Sequence, residues 1–130
     1  MRIYKFVTTP QKEAIILEDV LVDNYKIRLL IDTGASKTVI DHNSLFMLRY
    51  SFGDFYGHTE FETANGTLEA QYVRIRKFHC LGIDISNFEI CTYNFAANDI
   101  YPEYDGMLGL DFFQNNKICI DFVKSEITIS

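Results

Sequence analysis

Leu29-Leu30-Ile31-Asp32-Thr33-Gly34-Ala35-Ser36 is the stretch on which the reading of this sequence turns. Ile27, Leu29, Leu30 and Ile31 form a run too apolar to face water on both sides, so they predict a buried strand ending on Asp32. The strand breaks at a Thr-Gly pair. Gly34 permits a backbone path and a close approach denied to residues with a Cβ. Thr33 adds a hydroxyl that both donates and accepts in a confined space. A chance Asp-Thr-Gly occurs in roughly a few per cent of chains of this length at average composition. On its own, then, the tripeptide also fits a strand end in which Asp32 caps the turn and Gly34 serves its geometry.

On the N-terminal side, residues 14–22 read as a strand and Asp23-Asn24 as the tight turn before residues 25–31. On the C-terminal side, residues 38–40 read as a short buried strand. A helical turn or two follows over 43–49, capped by Asp41 or Asn43. Gly53 and Gly57 bracket an aromatic loop. Residues 58–62 and 67–76 flank Asn65-Gly66, a pair suited to a type I′ hairpin turn. Gly82 and Asp84 mark another turn and 88–95 another strand, followed by a polar loop over 96–104. A Gly-rich apolar segment, 105–113, precedes strands over 117–122 and 127–129. Short β-branched and aromatic runs punctuated by Gly, Asn and Asp predict one all-β domain, 1–130.

The second decisive segment is Asp105-Gly106-Met107-Leu108-Gly109-Leu110-Asp111-Phe112-Phe113. Together with Asp32-Thr33-Gly34, it resembles the retroviral-type (retropepsin-like) aspartic protease family and, more distantly, one lobe of pepsin. The resemblance runs from about Ile15 to the C-terminus and rests on two motifs in the right order, with the Asn-Gly hairpin between them. It implies a closed antiparallel β-barrel with one short helix near residues 111–115. Residues 1–13 would be an N-terminal extension, and 58–76 a flap hairpin with its tip over 63–68.

The same resemblance assigns Asp32 as the catalytic carboxylate, with Thr33 and Gly34 beside it. Ala35, Ser36, Ala64, Asn65, Gly66 and Leu108 become substrate contacts, and Met107 and Gly109 buttress the catalytic loop. Aspartic proteolysis needs two carboxylates about 3 Å apart that share one proton, because both cannot ionise at that separation. The chain has a single Asp-Thr-Gly; Asp105-Gly106 lacks the hydroxyl residue. A two-fold homodimer supplies the second Asp32. The implied substrate is an extended polypeptide added as a strand, and neither metal nor organic cofactor is required. The alternatives are a related domain that dimerises or holds peptides without cutting them, and a non-catalytic β-barrel scaffold.

Two departures stand out. Viral members usually carry an acid where this chain has Lys37, and an Arg soon after the residue matching Gly109. Here Leu110 and Asp111 follow, so the ion pair tying catalytic loop to helix is absent or rebuilt.

Composition agrees with these readings. The 130 residues are 48% hydrophobic and 15% aromatic, enough for one core rich in strands. A formal charge of −6 disfavours phosphate backbones, so no nucleic-acid partner is expected. Arg74, Arg76 and Lys77 read as the wet face of a strand. Three cysteines with no paired spacing argue against a disulfide framework, and neither a membrane span nor a secretion signal is visible. A cytoplasmic location follows as the expectation. His58, Glu60 and Glu62 alternate as a metal trio would, but equally as a solvated flap edge. His79-Cys80 is a distant candidate for a Cys-His nucleophile.

Overall fold

The computed structural model describes residues 2–63, 66–98, 100 and 102–130. Its strands are β1 (Arg2–Lys5), β2 (Val7–Thr8), β3 (Ile15–Val22), β4 (Tyr25–Ile31), β5 (Val39–Asp41), β6 (Phe55–Thr63), β7 (Gly66–Cys80), β8 (Ile83–Tyr93), β9 (Gly106–Leu108), β10 (Ile118–Asp121) and β11 (Glu126–Ile129). Two short helices, α1 (His42–Met47) and α2 (Leu110–Phe113), interrupt them, with 3-10 turns at Phe52–Asp54 and Ala96–Asn98.

The turns follow local backbone chemistry. Asp23 and Asn24 sit at φ 50° and 71°, left-handed values that Asp and Asn tolerate, so β3 folds directly onto β4. Leu81 and Gly82, at φ 50° and 76°, join β7 to β8. Gly66 takes φ 118° at the start of β7, where it pairs with Thr63. The expected I′ turn also involves Asn65, which lies outside the described residues.

Among the described residues the strands form two sheets. One has the order β1-β11-β10 and the other β2-β3-β4-β9-β5-β8-β7-β6, with β3 also pairing to β7 through Leu21–His79 and Val22–Phe78. Most pairs are antiparallel. Two are not: β4 runs parallel to β9, and β5 parallel to β8. The expected antiparallel sheet is therefore mixed at the segment that carries Asp32, because β9 enters between β4 and β5. Gly106 makes that insertion possible. A Cβ there would lie 2.0 Å from the Val39 carbonyl oxygen.

Burial explains the remaining order. Ile27 and Leu29 of β4 face a core with Ile40, Leu45, Val73, Ile75, Phe78, Ile90, Leu108 and Phe112. Each such side chain, fully buried, contributes roughly 1.5–3 kcal/mol. A second cluster joins Val39, Leu68, Ala70, Cys91, Tyr93 and Phe95, with Phe61, Tyr72, Ile100 and Met107 packed against it.

Several boundaries move. α1 begins at His42, and the Asp41 carboxylate does not cap it but accepts from the Phe95 N–H at 3.0 Å. α2 spans Leu110–Phe113 rather than 111–115. The segment 1–13 contains β1, paired with β11 in register Arg2–Ile129 to Lys5–Glu126, and β2, paired with β3. No helix of the described residues is long and apolar enough to cross a membrane.

Candidate active site

β4 and β9 deliver the two sequence motifs side by side. Leu29, Leu30 and Ile31 align with Gly106, Met107 and Leu108, and the Asp32 N–H continues the ladder by donating to the Leu108 carbonyl at 3.0 Å. The chain then turns tightly. The Ala35 N–H donates to the Asp32 carbonyl at 3.1 Å, and the Gly34 N–H donates to Asp32 Oδ1 at 3.0 Å. A Cβ on Gly34 would meet that same oxygen at 3.2 Å. Asp32 is half-buried, while Thr33, Gly34 and Ser36 are exposed.

Gly109 supplies the close approach behind this loop. A Cβ there would lie 2.6 Å from the Lys37 carbonyl carbon and 2.9 Å from the Ala35 carbonyl oxygen. Beyond Gly109 the chains stay strapped together: the Leu110 N–H donates to the Ala35 carbonyl at 2.8 Å, and the Asp111 N–H to the Ser36 carbonyl at 3.2 Å. Of the two expected buttress residues, Gly109 lies against the backbone of residues 35–37, while Met107 pairs with Leu30 and Val39. Leu108 differs from its expected role. Its side chain is fully buried in the main core, so in the single chain it offers a substrate no surface. Ala35 is half-buried and Gly66 exposed; Ala64 and Asn65 lie outside the described residues.

The other acids of the two motifs are committed to structure. Asp105 accepts from the Arg28 N–H and the Ser44 hydroxyl, each at 2.8 Å, fixing the entry of β9 between β4 and α1. Asp111 accepts from the Thr38 N–H at 3.0 Å and from the Thr38 hydroxyl at 2.8 Å. Here a carboxylate–threonine contact ties the loop to α2. Sequence reasoning missed Thr38 and Asp111. The available signals were a lone hydroxyl ahead of Val39-Ile40 and an acid in the first turn of a short helix.

Lys37 turns to β8 instead, placing Nζ 3.1 Å from Glu89 Oε1 and 5.4 Å from the Tyr72 ring centroid. Burial alone lowers the Lys37 pKa, but the Glu89 hydrogen bond and charge outweigh it and leave it raised. Glu89 also accepts from the Tyr56 hydroxyl, and these two partners, Tyr56 first, hold its carboxyl below the usual range. Tyr104, from the loop before β9, was likewise unforeseen: burial, then the charge of Asp32, raises its phenol pKa.

A groove of about 680 Å³ lies against Asp32 and Thr33, with Phe6, Ile120 and Phe122 on its apolar side. Phe122 and Val123, next to it in sequence, are 70% and 95% exposed. His58, Glu60 and Glu62 are exposed on the hairpin, and no group of metal-binding side chains is present among the described residues. Cys80 is buried and its thiol pKa is raised by that burial, while His79 pairs with Asp84 at 2.7 Å. That arrangement does not make a nucleophile.

The comparisons fit this geometry. The family described as "gag-polyprotein putative aspartyl protease" matches residues 19–115. No curated protein sequence matches the chain at a significant level. A retropepsin-like aspartic protease from Rickettsia conorii superposes with a TM-score of 0.73 at 18% identity, covering 98% of this chain and 89% of the other. EIAV protease complexed with the inhibitor HBY-793 gives 0.63 at 22% identity, covering 84% and 93%. The retroviral protease-like domain of Ddi1 from Leishmania major gives 0.52 at 16%, covering 87% and 86%. These likenesses speak for the fold; the match over 19–115 carries the family, and the chain belongs to the gag-polyprotein aspartyl protease family.

Proposed function

We propose that the chain is an aspartic endopeptidase that cuts extended polypeptide as a homodimer, with Asp32 of each subunit forming the catalytic pair. One observation carries the reading. Among the described residues, Asp105 and Asp111 each bind a backbone N–H and a hydroxyl of the fold, whereas the Asp32 carboxylate holds only the N–H of its own loop. The carboxylate left for chemistry is a single one, and water activation between acids calls for two.

In the pair, one carboxylate draws a proton from water while the other protonates the scissile carbonyl oxygen. The water's oxygen bonds to the carbonyl carbon, and the peptide C–N bond breaks as its nitrogen takes up a proton. The apolar groove beside Asp32, with Phe122 and Val123 exposed near it, supports a surface that a second copy covers. Ala35, Ser36 and the β6–β7 hairpin with Gly66 would line the substrate, together with Ala64 and Asn65, which lie outside the described residues. Met107, half-buried and packed against the same cluster as Tyr72 and Phe61, would join them in place of Leu108. The successive pairings β3–β4, β4–β9, β9–β5, β5–β8, β8–β7 and β7–β3 support a closed barrel as the frame.

The test is Asp32→Asn, assayed on an unfolded protein substrate with the oligomeric state followed by sedimentation. Loss of cleavage with the dimer retained supports the reading. Undiminished cleavage overturns it.

A further inference from the structure

The geometry points to Asp111 as the residue that positions the Asp32 loop, acting through the Thr38 hydroxyl. Thr38 is fully buried, a rarity for a polar side chain in this protein. Its environment sets the direction of every hydrogen bond. An ionised carboxylate only accepts, so the Thr38 hydroxyl donates its one proton to Asp111 Oδ1 at 2.8 Å. A lone pair on the same oxygen is then free to accept from the Gly109 N–H at 3.1 Å. The Thr38 N–H is shared between both Asp111 oxygens at 3.0 Å.

This arrangement makes a clamp rather than a local cap. Gly109 packs against the backbone of residues 35–37 so closely that a Cβ there would lie 2.6 Å from the Lys37 carbonyl carbon. Leu110 and Asp111 bind the carbonyls of Ala35 and Ser36 through their own N–H groups. The loop 32–38 is thus fixed at its start by the Asp32–Leu108 bond and at its end by Asp111. Charge-assisted hydrogen bonds in a water-poor site hold geometry more tightly than neutral ones. Lys37, lying between the two clamped residues, is drawn toward Glu89 and leaves Asp111 as the anion facing Thr38.

The catalytic consequence rests on the protease reading above. Two carboxylates that share a proton titrate far apart because they are close together. A loosened loop lets them separate, so their two apparent pKa values converge and the bell-shaped pH profile of kcat/KM narrows. A variant that was only less stable would lose amplitude at every pH and keep the width.

Asp111→Asn, Thr38→Val and Thr38→Ser would be compared with the parent as full chains. Asn keeps the shape but turns an acceptor into a donor; Ser keeps the hydroxyl; Val keeps the volume and removes it. Two readouts are taken: amide hydrogen exchange at Asp32 and Ala35, with Val73 and Ile90 as core references, and the pH profile of kcat/KM on an unfolded substrate. Asp111→Asn and Thr38→Val should speed loop exchange by about tenfold or more with the core unchanged, and narrow the profile. Thr38→Ser should restore both. Loop exchange equal to the parent's overturns the proposal, as does faster exchange with an unaltered profile. If the parent cleaves nothing, the protease reading fails, and the exchange comparison alone decides whether Asp111 positions the loop.

Discussion

The Lys37 ammonium stands 3.1 Å from Glu89 Oε1, joining the exit of the Asp32 loop to β8, while the other oxygen of that carboxylate accepts from Tyr56 on β6. One acid therefore connects the loop to the stem of the β6–β7 hairpin. Both partners are more than a third exposed, so Glu89→Gln should cost below about 1 kcal/mol, and 1 M salt should erase much of the difference. Glu89 titrates below its usual range when folded, so its contribution is present at neutral pH and is lost as pH falls through that lowered value. Denaturant midpoints at two salt concentrations and at pH 7 and 3 check this. A salt-independent loss of several kcal/mol would contradict it.

Gly106→Ala probes the insertion of β9. The new Cβ would lie 2.0 Å from the Val39 carbonyl oxygen and 2.9 Å from the Ile40 Cα, both backbone atoms. Neither can swing aside, so the expected loss is at least about 1–3 kcal/mol, with reduced activity as β4 and β5 are forced apart. An unchanged denaturant midpoint would exclude this packing.

Asp105→Asn and Asp32→Asn should behave oppositely. Asp105 satisfies a backbone N–H and the Ser44 hydroxyl, so its replacement should lower stability by about 1–3 kcal/mol while leaving measurable cleavage. Asp32→Asn should remove cleavage and change the thermal midpoint little. Exchange of these outcomes would move the chemistry to Asp105.

His42 stacks on Phe55 with centroids 4.8 Å apart, and Phe46 and Phe52 complete the cluster. Burial lowers its pKa, opposed in part by Asp41 and by the hydrogen bond to the Thr92 backbone. The folded state thus favours neutral imidazole. Its contribution is present above the ordinary value of about 6.5 and is lost as pH falls through the lower folded value. Thermal midpoints from pH 8 to 4 should fall more steeply for the parent than for His42→Phe. Equal slopes would remove His42 from the account.

Much of the architecture was legible because its causes are local. The apolar run 27–31, the Asp23-Asn24 turn and the Gly-rich 106–109 segment each carry their conformation in residue type. What was hidden depends on partners distant in sequence. The pairing of Arg2–Lys5 with Glu126–Ile129 leaves no local mark in a short stretch of mixed polarity. β8 begins at Ile83 and continues through Asn87, a residue at φ 54°, so a left-handed residue that reads as a turn is carried inside a strand. The parallel β4–β9 pair follows from β9 arriving between β4 and β5, which no single segment announces. At the site, Asp32, Gly34 and Gly109 could be named from motif chemistry. The Thr38–Asp111 clamp could not, since a hydroxyl and an acid 73 positions apart have no spacing rule to link them.

The most direct test of the whole account is the stoichiometry of a statine-type transition-state mimic, read by calorimetry together with the mass of the complex. Because each subunit brings one Asp32, the account predicts one inhibitor bound per two chains, in a complex of twice the 15.1 kDa protomer plus a single ligand. Saturation at one inhibitor per monomeric chain would contradict it, as would failure to bind by a protein that is already dimeric.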